Sequence, residues 1–382
     1  MPRFVLWLPL LGSALSARAT AQQQEAAPIW DVTYTPYGYY SSIDGWWLAG
    51  FVRYYSPIGF RERPEPNRAA FTLTGGASTQ GSSLVDFDAQ LPALWEGWRV
   101  ALTATAARAN RLGYFGIGND TRWETDSATP ANPYFYEVSR TSQLARLTIQ
   151  RRLVGPLRAL VGGTLERTTF RVLPGDGVFA RDRAAGAADA QPYNDATLRA
   201  GLAVDTRNNE LDPHTGVYAE GLYATARRYT RTTLGVQAYA NPFEKLVLAG
   251  RVIGERIRGT PGTSVLQTIE SSGRPYIGLG GYRSLRGYYD SRFIGPHKLL
   301  GGLEARYALL YAPTIFELKL VGFYDTGRVF GAGEDLRLTT NGLHSSGGGE
   351  LMLRLGRNGV LVIGAGFGED GGQFFFGSTW SY

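Results

Sequence analysis

Three histidines, His214, His297 and His344, are the only imidazoles in 382 residues, and cysteine is absent. Without a thiol there is no cysteine nucleophile, no Cys-ligated zinc site and no disulfide scaffold. The histidines lie far apart in sequence, and no G-x-S-x-G or H-E-x-x-H pattern occurs. A lipase or protease needs a nucleophile beside a positioned base, and little here could supply one. His214 falls in an Asp-Pro-His-Thr-Gly turn, and His297 and His344 are expected in solvated surface loops. The reading is therefore no catalytic residue, no metal and no cofactor. What remains is arginine chemistry. Of the 39 basic residues only three are lysine, and a guanidinium fork grips a carboxylate with two parallel hydrogen bonds. The segment of most interest is Gly280-Gly281-Tyr282-Arg283-Ser284-Leu285-Arg286-Gly287-Tyr288. Gly287 beside Arg286 permits a sharp turn or a close backbone approach. No dense basic run marks a nucleic-acid partner.

The elements that must hold such a segment follow from composition. Fifty glycines, 22 tyrosines and 18 phenylalanines accompany only 19% charged residues and two methionines. That is nearly twice the roughly 7% glycine share of ordinary proteins. The mixture suits β-structure with one apolar face. Residues 1–21 read as a signal peptide: Arg3, an apolar run from Phe4 to Leu15, then Ala19-Thr20-Ala21 as the cleavage site. The run is too short to cross a bilayer core of about 30 Å, and no other stretch reaches the roughly 18 apolar residues of a transmembrane helix.

The remainder alternates with period two. Leu198, Ala200, Leu202 and Val204 share one face, and Arg199, Gly201, Ala203 and Asp205 the other. Phe316, Leu318, Leu320 and Tyr324 alternate with Glu317, Lys319, Val321, Phe323 and Asp325. About sixteen strand-like runs centre near residues 34, 50, 72, 87, 103, 146, 163, 201, 221, 236, 252, 305, 320, 351, 363 and 378. All the very long connections follow odd-numbered runs: Asn110 to Ser139, Arg171 to Asn194, Gly259 to Lys298 and Gly327 to His344. Short turns on one side and long loops on the other are the pattern of an outer-membrane barrel. In hydrocarbon a sheet must also close to satisfy its backbone. The expected fold is all-β, a transmembrane antiparallel β-barrel of about sixteen strands spanning 22–382. Trp46, Trp47, Trp95, Trp98 and Trp380 fall near strand ends, where aromatic girdles form.

Four segments carry a more specific likeness. The glycine-arginine segment is followed by Arg292-Phe293-Ile294-Gly295 and by Gly301-Gly302-Leu303-Glu304-Ala305-Arg306-Tyr307. Further segments are Phe323-Tyr324-Asp325-Thr326-Gly327-Arg328-Val329-Phe330, Asp205-Thr206-Arg207-Asn208-Asn209 with Pro213 and Gly216, and Tyr114-Phe115-Gly116-Ile117-Gly118-Asn119-Asp120-Thr121. Taken in chain order, from Tyr114 to the C-terminus, they resemble the outer-membrane assembly factor superfamily, the BamA/TamA-like or bacterial surface antigen barrels.

That resemblance implies a long loop six folded into the lumen, with its motif at Gly281, Arg286, Gly287 and Tyr288. It implies that Arg286 contacts Glu304 and Asp325 on the inner wall. It also implies that Phe374, Phe376, Trp380 and Tyr382 form the C-terminal signal for barrel assembly. Localisation in the bacterial outer membrane follows, with a role in outer-membrane protein insertion or translocation. The implied partners are outer-membrane lipid, the barrel assembly machinery and a separate periplasmic protein. The family's periplasmic POTRA domains have no counterpart in the few residues between Gln22 and the first run near Ile29. The alternative is a passive or gated pore, for which Arg199, Asp205, Arg207, Glu350 and Arg354 offer a polar lumen. A hydrolase is the third reading.

Overall fold

The structure, a computed structural model, describes residues 29–41, 44–58, 64–312, 315–355 and 359–377. The proposed signal peptide, Trp380 and Tyr382 lie outside these residues. Sixteen antiparallel strands form one sheet in sequence order. They are β1 (Asp31–Ser41), β2 (Gly45–Pro57), β3 (Asn67–Ser78), β4 (Ser83–Trp95), β5 (Trp98–Gly113), β6 (Glu137–Val154), β7 (Leu157–Val172) and β8 (Tyr193–Asp205). The second half is β9 (Gly216–Thr225), β10 (Tyr229–Phe243), β11 (Leu246–Gly259), β12 (His297–Ala312), β13 (Phe316–Phe330), β14 (His344–Leu355), β15 (Gly359–Gly368) and β16 (Gly371–Gly377). Every ladder joins consecutive strands, so β1 and β16 are the two ends of the sheet among the described residues.

The sheet is apolar outside and polar inside. Leu198 and Leu202 are 69% and 52% exposed, whereas Arg199 and Ala203, on the other face of β8, are buried. On β13, Leu320 and Tyr324 face out, while Glu317, Lys319, Val321, Phe323 and Asp325 are buried. A soluble sandwich buries its apolar face. This one offers it to the surroundings, which suits lipid outside a barrel. Trp46, Trp95 and Trp98 are exposed at strand ends, but Trp47 follows Trp46 directly and so takes the inner face of β2.

The connections divide by parity. Those after β4, β6 and β10 are two-residue turns, and the four longest, 114–136, 173–192, 260–296 and 331–343, follow β5, β7, β11 and β13. Several strands exceed the roughly 9–11 residues a bilayer requires. The 18 residues of β6, at about 3.3 Å each and tilted by about 45°, rise roughly 40 Å along the membrane normal. Such strands stand clear of the hydrocarbon and support the long loops. A short helix, α1 (Val178–Ala184), lies in the 173–192 loop, where Phe179 packs edge-on against Tyr114 of the 114–136 loop.

Two histidine expectations are corrected. His297 is buried at the start of β12, and its Nδ1 accepts the Ile257 backbone N–H at 3.2 Å. His344 stacks on Phe293 at 3.8 Å between ring centres, and its Nε2 is 2.9 Å from the Asn119 carbonyl oxygen. Both open a strand that long loops cover, so neither is solvated in a surface loop.

Candidate functional site: the loop folded against the inner wall

The 260–296 connection leaves β11 and folds into the barrel before β12 begins. A one-turn helix, α2 (Thr263–Leu266), and a two-residue ladder between Thr268–Ile269 and Tyr276–Ile277 give it internal structure. Its apolar residues Ile269, Leu279, Leu285, Tyr288 and Phe293 form one buried cluster with Ile253 of β11, Leu300 of β12 and Val329 of β13. Burying such side chains is worth about 1.5–3 kcal/mol each. Glycine is required where the loop comes closest to the wall. Gly281 has φ +92°, which a side chain rarely tolerates. A Cβ on Gly287 would lie 2.6 Å from Ser346 Cβ and 2.7 Å from the Phe367 carbonyl carbon.

Those two positions present Arg286. Its Nε and Nη2 donate to the two oxygens of Asp325 at 2.7 and 2.9 Å, and its Nη1 donates to Glu304 at 2.6 Å. Nη1 also lies 3.4 Å from Glu350 Oε2. The guanidinium carbon sits 3.7 Å from the centre of the Phe323 ring. All four charged side chains are 0% exposed. Three carboxylates around one arginine would leave excess negative charge, and the wall supplies the rest. Arg306 donates to Glu304 at 2.7 Å, and Arg251 lies 3.7 Å from Asp325. Arg251 also holds the Arg283 and Ser284 carbonyls at 2.9 and 3.0 Å. Charges taken this far from water persist only when paired and hydrogen-bonded.

A second station ties the loop to other strands. Glu270 accepts from Arg146 of β6 at 2.6 Å and lies 3.7 Å from Arg199 of β8 and 3.8 Å from Arg231 of β10. Burial raises the pKa of Glu270, and Arg146, Arg231 and Arg199 more than offset it, leaving it below the usual carboxylate value. Arg274 reaches Asp86 and Asp88 of β4 at 2.6 and 3.0 Å. The loop is thus pinned from β4 round to β14.

The structure brings Arg286, Glu304 and Asp325 into contact, with Gly281, Gly287 and Tyr288 alongside. Glu350, Phe323 and Glu270 were not among the residues singled out from sequence as contacts of the loop. Alternation places Glu350 and Phe323 on the inner face, but nothing local names their partners. The residues offered for an open polar lumen are paired instead: Arg207 with Asp205 at 2.9 Å, Arg354 with Glu317 at 3.0 Å, Arg199 with Glu270 and Glu350 with Arg286. Phe374 and Phe376 face outward on β16, 81% and 42% exposed.

A family model for the Omp85 superfamily domain matches residues 72–368. No curated protein matches the sequence. Among solved structures, the chain resembles BamA from Haemophilus ducreyi lacking POTRA domains 1–3, with 13% identity and a TM-score of 0.56. That alignment covers 92% of this chain and 69% of the other. It also resembles CdiB from Escherichia coli, with 12% identity and a TM-score of 0.59, covering 94% of this chain and 63% of that one. At such identities the structural likeness speaks for the fold alone, and the family match spans the strands that carry the inward loop and its carboxylate wall. The chain is a β-barrel of the bacterial outer membrane and belongs to the Omp85 superfamily.

Proposed function

We propose that this barrel aids the insertion or translocation of other proteins at the outer membrane rather than conducting small solutes or catalysing a reaction. One observation carries the reading: a loop bound to the inner wall from β4 to β14 occupies the lumen, while β1 is exposed on both faces and ends the sheet among the described residues. Val32 and Tyr34 of β1 are 62% and 75% exposed on the outer face, and the inner-face residues Thr33 and Thr35 are exposed as well. An unpaired edge is a template for another strand. Pro36 lies within the β1–β2 ladder, where proline is tolerated when its nitrogen faces the free edge. The edge that β1 offers to β16 or to a guest therefore lacks one donor.

In this reading the 260–296 loop props the β10–β14 wall and leaves only a narrow, intermittently open path through the lumen, and the β1 edge exchanges between β16 and a client strand. Arg286, Glu304 and Asp325 position the loop. The C-terminal aromatic residues recruit the barrel assembly machinery for the chain's own insertion. Residues 1–21 direct export, and a separate periplasmic protein delivers the client. The test is a disulfide between cysteines introduced in β1 and β16, assayed in proteoliposomes with a denatured outer-membrane protein as client. The locked form should lose insertion and regain it on reduction. Unimpaired insertion by the locked form overturns the proposal, and a large steady conductance of the unmodified chain in planar bilayers favours a pore.

A further inference from the structure

The connection between β8 and β9 lies on the short-turn side, which faces the periplasm in outer-membrane barrels, and it is bonded to strands far apart in the sheet. We propose that residues 206–215 form a latch across the periplasmic mouth, separate from the 260–296 loop, and that its release opens the lumen to the periplasm.

On one side Glu210 pairs with Arg99 at the start of β5, and its backbone N–H donates to the Pro64 carbonyl at 3.0 Å in the β2–β3 connection. Arg99 also holds Glu65 of that connection at 2.8 Å. On the other side Asp212 accepts from Lys319 of β13 at 2.7 Å and lies 3.5 Å from Arg354 of β14. In sheet order β5 and β13 are eight strands apart in sixteen, which is half the circumference of a barrel. Two residues apart in sequence, Glu210 and Asp212 are thus anchored to opposite walls. Leu211 between them packs on a buried apolar patch of Val321, Met352, Val360 and Val362. That patch lies on the inner face of β13–β15 beside the buried Lys319 and Glu350, and Tyr282 of the 260–296 loop packs on it too. The two lumenal segments therefore meet on one surface.

The latch is stiff in itself. Asn208 Oδ1 accepts the backbone N–H groups of His214 and Thr215 at 3.0 and 3.1 Å, and Asn209 Oδ1 accepts those of Leu211 and Asp212 at 2.8 and 2.9 Å. Such side-chain-to-backbone bonds replace a secondary-structure ladder. Gly216, where β9 begins, has φ +107° and supplies a bend that other residues resist. A segment rigid inside and bent at one end moves as a unit when its ion pairs break. His214 sits 3.2 Å from Lys319 Nζ and 3.5 Å from Asp212, so the carboxylate that the latch donates to β13 is shared among three cationic or proton-bearing groups.

The test is single-channel recording of the full chain in planar bilayers. Replacing both anchors, Glu210→Gln with Asp212→Asn, should raise the open fraction by about tenfold, the scale of a typical coupling between two states. Barrel folding is checked by heat-modifiable mobility. An unchanged open fraction in a folded double variant overturns the proposal. Leu211→Cys with Met352→Cys gives a second measurement, because the chain has no other cysteine. Oxidation should abolish openings in the otherwise unmodified chain, and reduction should restore them. Openings that persist in the cross-linked form overturn the latch even where the anchor variant does not fold. Client insertion is read separately in the β1–β16 experiment, so either proposal can fail alone.

Discussion

The wall from β10 to β14 and the wall from β1 to β3 are built from the same alternating strands, yet they meet the lumen differently. On the first, the inner positions Arg231, Arg251, Glu255, Glu304, Arg306 and Asp325 are buried, most of them against the 260–296 loop. On the second, Ala49, Phe51 and Arg53 of β2 and Thr72 and Thr74 of β3 are only half-buried, and β1 is exposed on both faces. One wall is dry, charged and cross-linked. The other is wet at its inner face and carries few charges. A buried ion network over-determines its geometry, because moving one member strands the rest. An inner face in contact with water carries no such penalty. The contrast locates rigidity at the loop-facing wall and freedom at the strand that ends the sheet.

The largest effect should come from removing the centre of the charged wall. Arg286→Ala leaves Glu304, Asp325 and Glu350 without their shared cation and should cost about 3–5 kcal/mol, seen as loss of heat-modifiable folded barrel. Unchanged mobility and abundance would break the comparison at its firmest point. Gly287→Val comes next. Its side chain would press on Ser346 and Phe367, and overpacking of this kind costs about 1–3 kcal/mol, measurable by urea unfolding in micelles. Tyr276→Phe is smaller: it removes the hydroxyl that Gln237 of β10 donates to at 3.0 Å, a loss of about 1 kcal/mol. The opposite wall provides the control. Thr74→Ala should stay within about 0.5 kcal/mol of the parent.

Acidification sharpens the same contrast. Glu270 is held below the ordinary carboxylate value by three arginines after burial is offset. A depressed folded pKa contributes stability that is present above the unfolded value and lost as pH falls through the folded one. The loop-facing wall should therefore keep its urea resistance down to the usual carboxylate range and lose it only below.

The strands were legible because their signals are local. Period-two alternation and turn length fix β8 or β13 from a dozen residues, and parity assigns Asp325 and Glu304 to the inner face. The sixteenth run was centred near 378, just beyond the described end of β16 at Gly377. The meeting of Arg286 with Glu304 and Asp325 came through family resemblance, since alternation names a face and not a partner. Glu270 meets Arg146 across 124 residues of sequence, and Glu210 meets Arg99 across 111. No periodicity reports such pairs, because the curvature of the whole sheet brings them together. The histidines went astray for the same reason. His344 meets Asn119, on a loop 225 residues away, and stacks on Phe293 of the 260–296 loop.

Amide hydrogen exchange of the full chain in a lipid nanodisc tests the contrast most directly. The account predicts that β12 and β13 stay protected after β1 and β2 have exchanged, and that Arg286→Lys narrows the gap by loosening the first wall. Equal protection of β1 and β13, or faster exchange in β13, would contradict it.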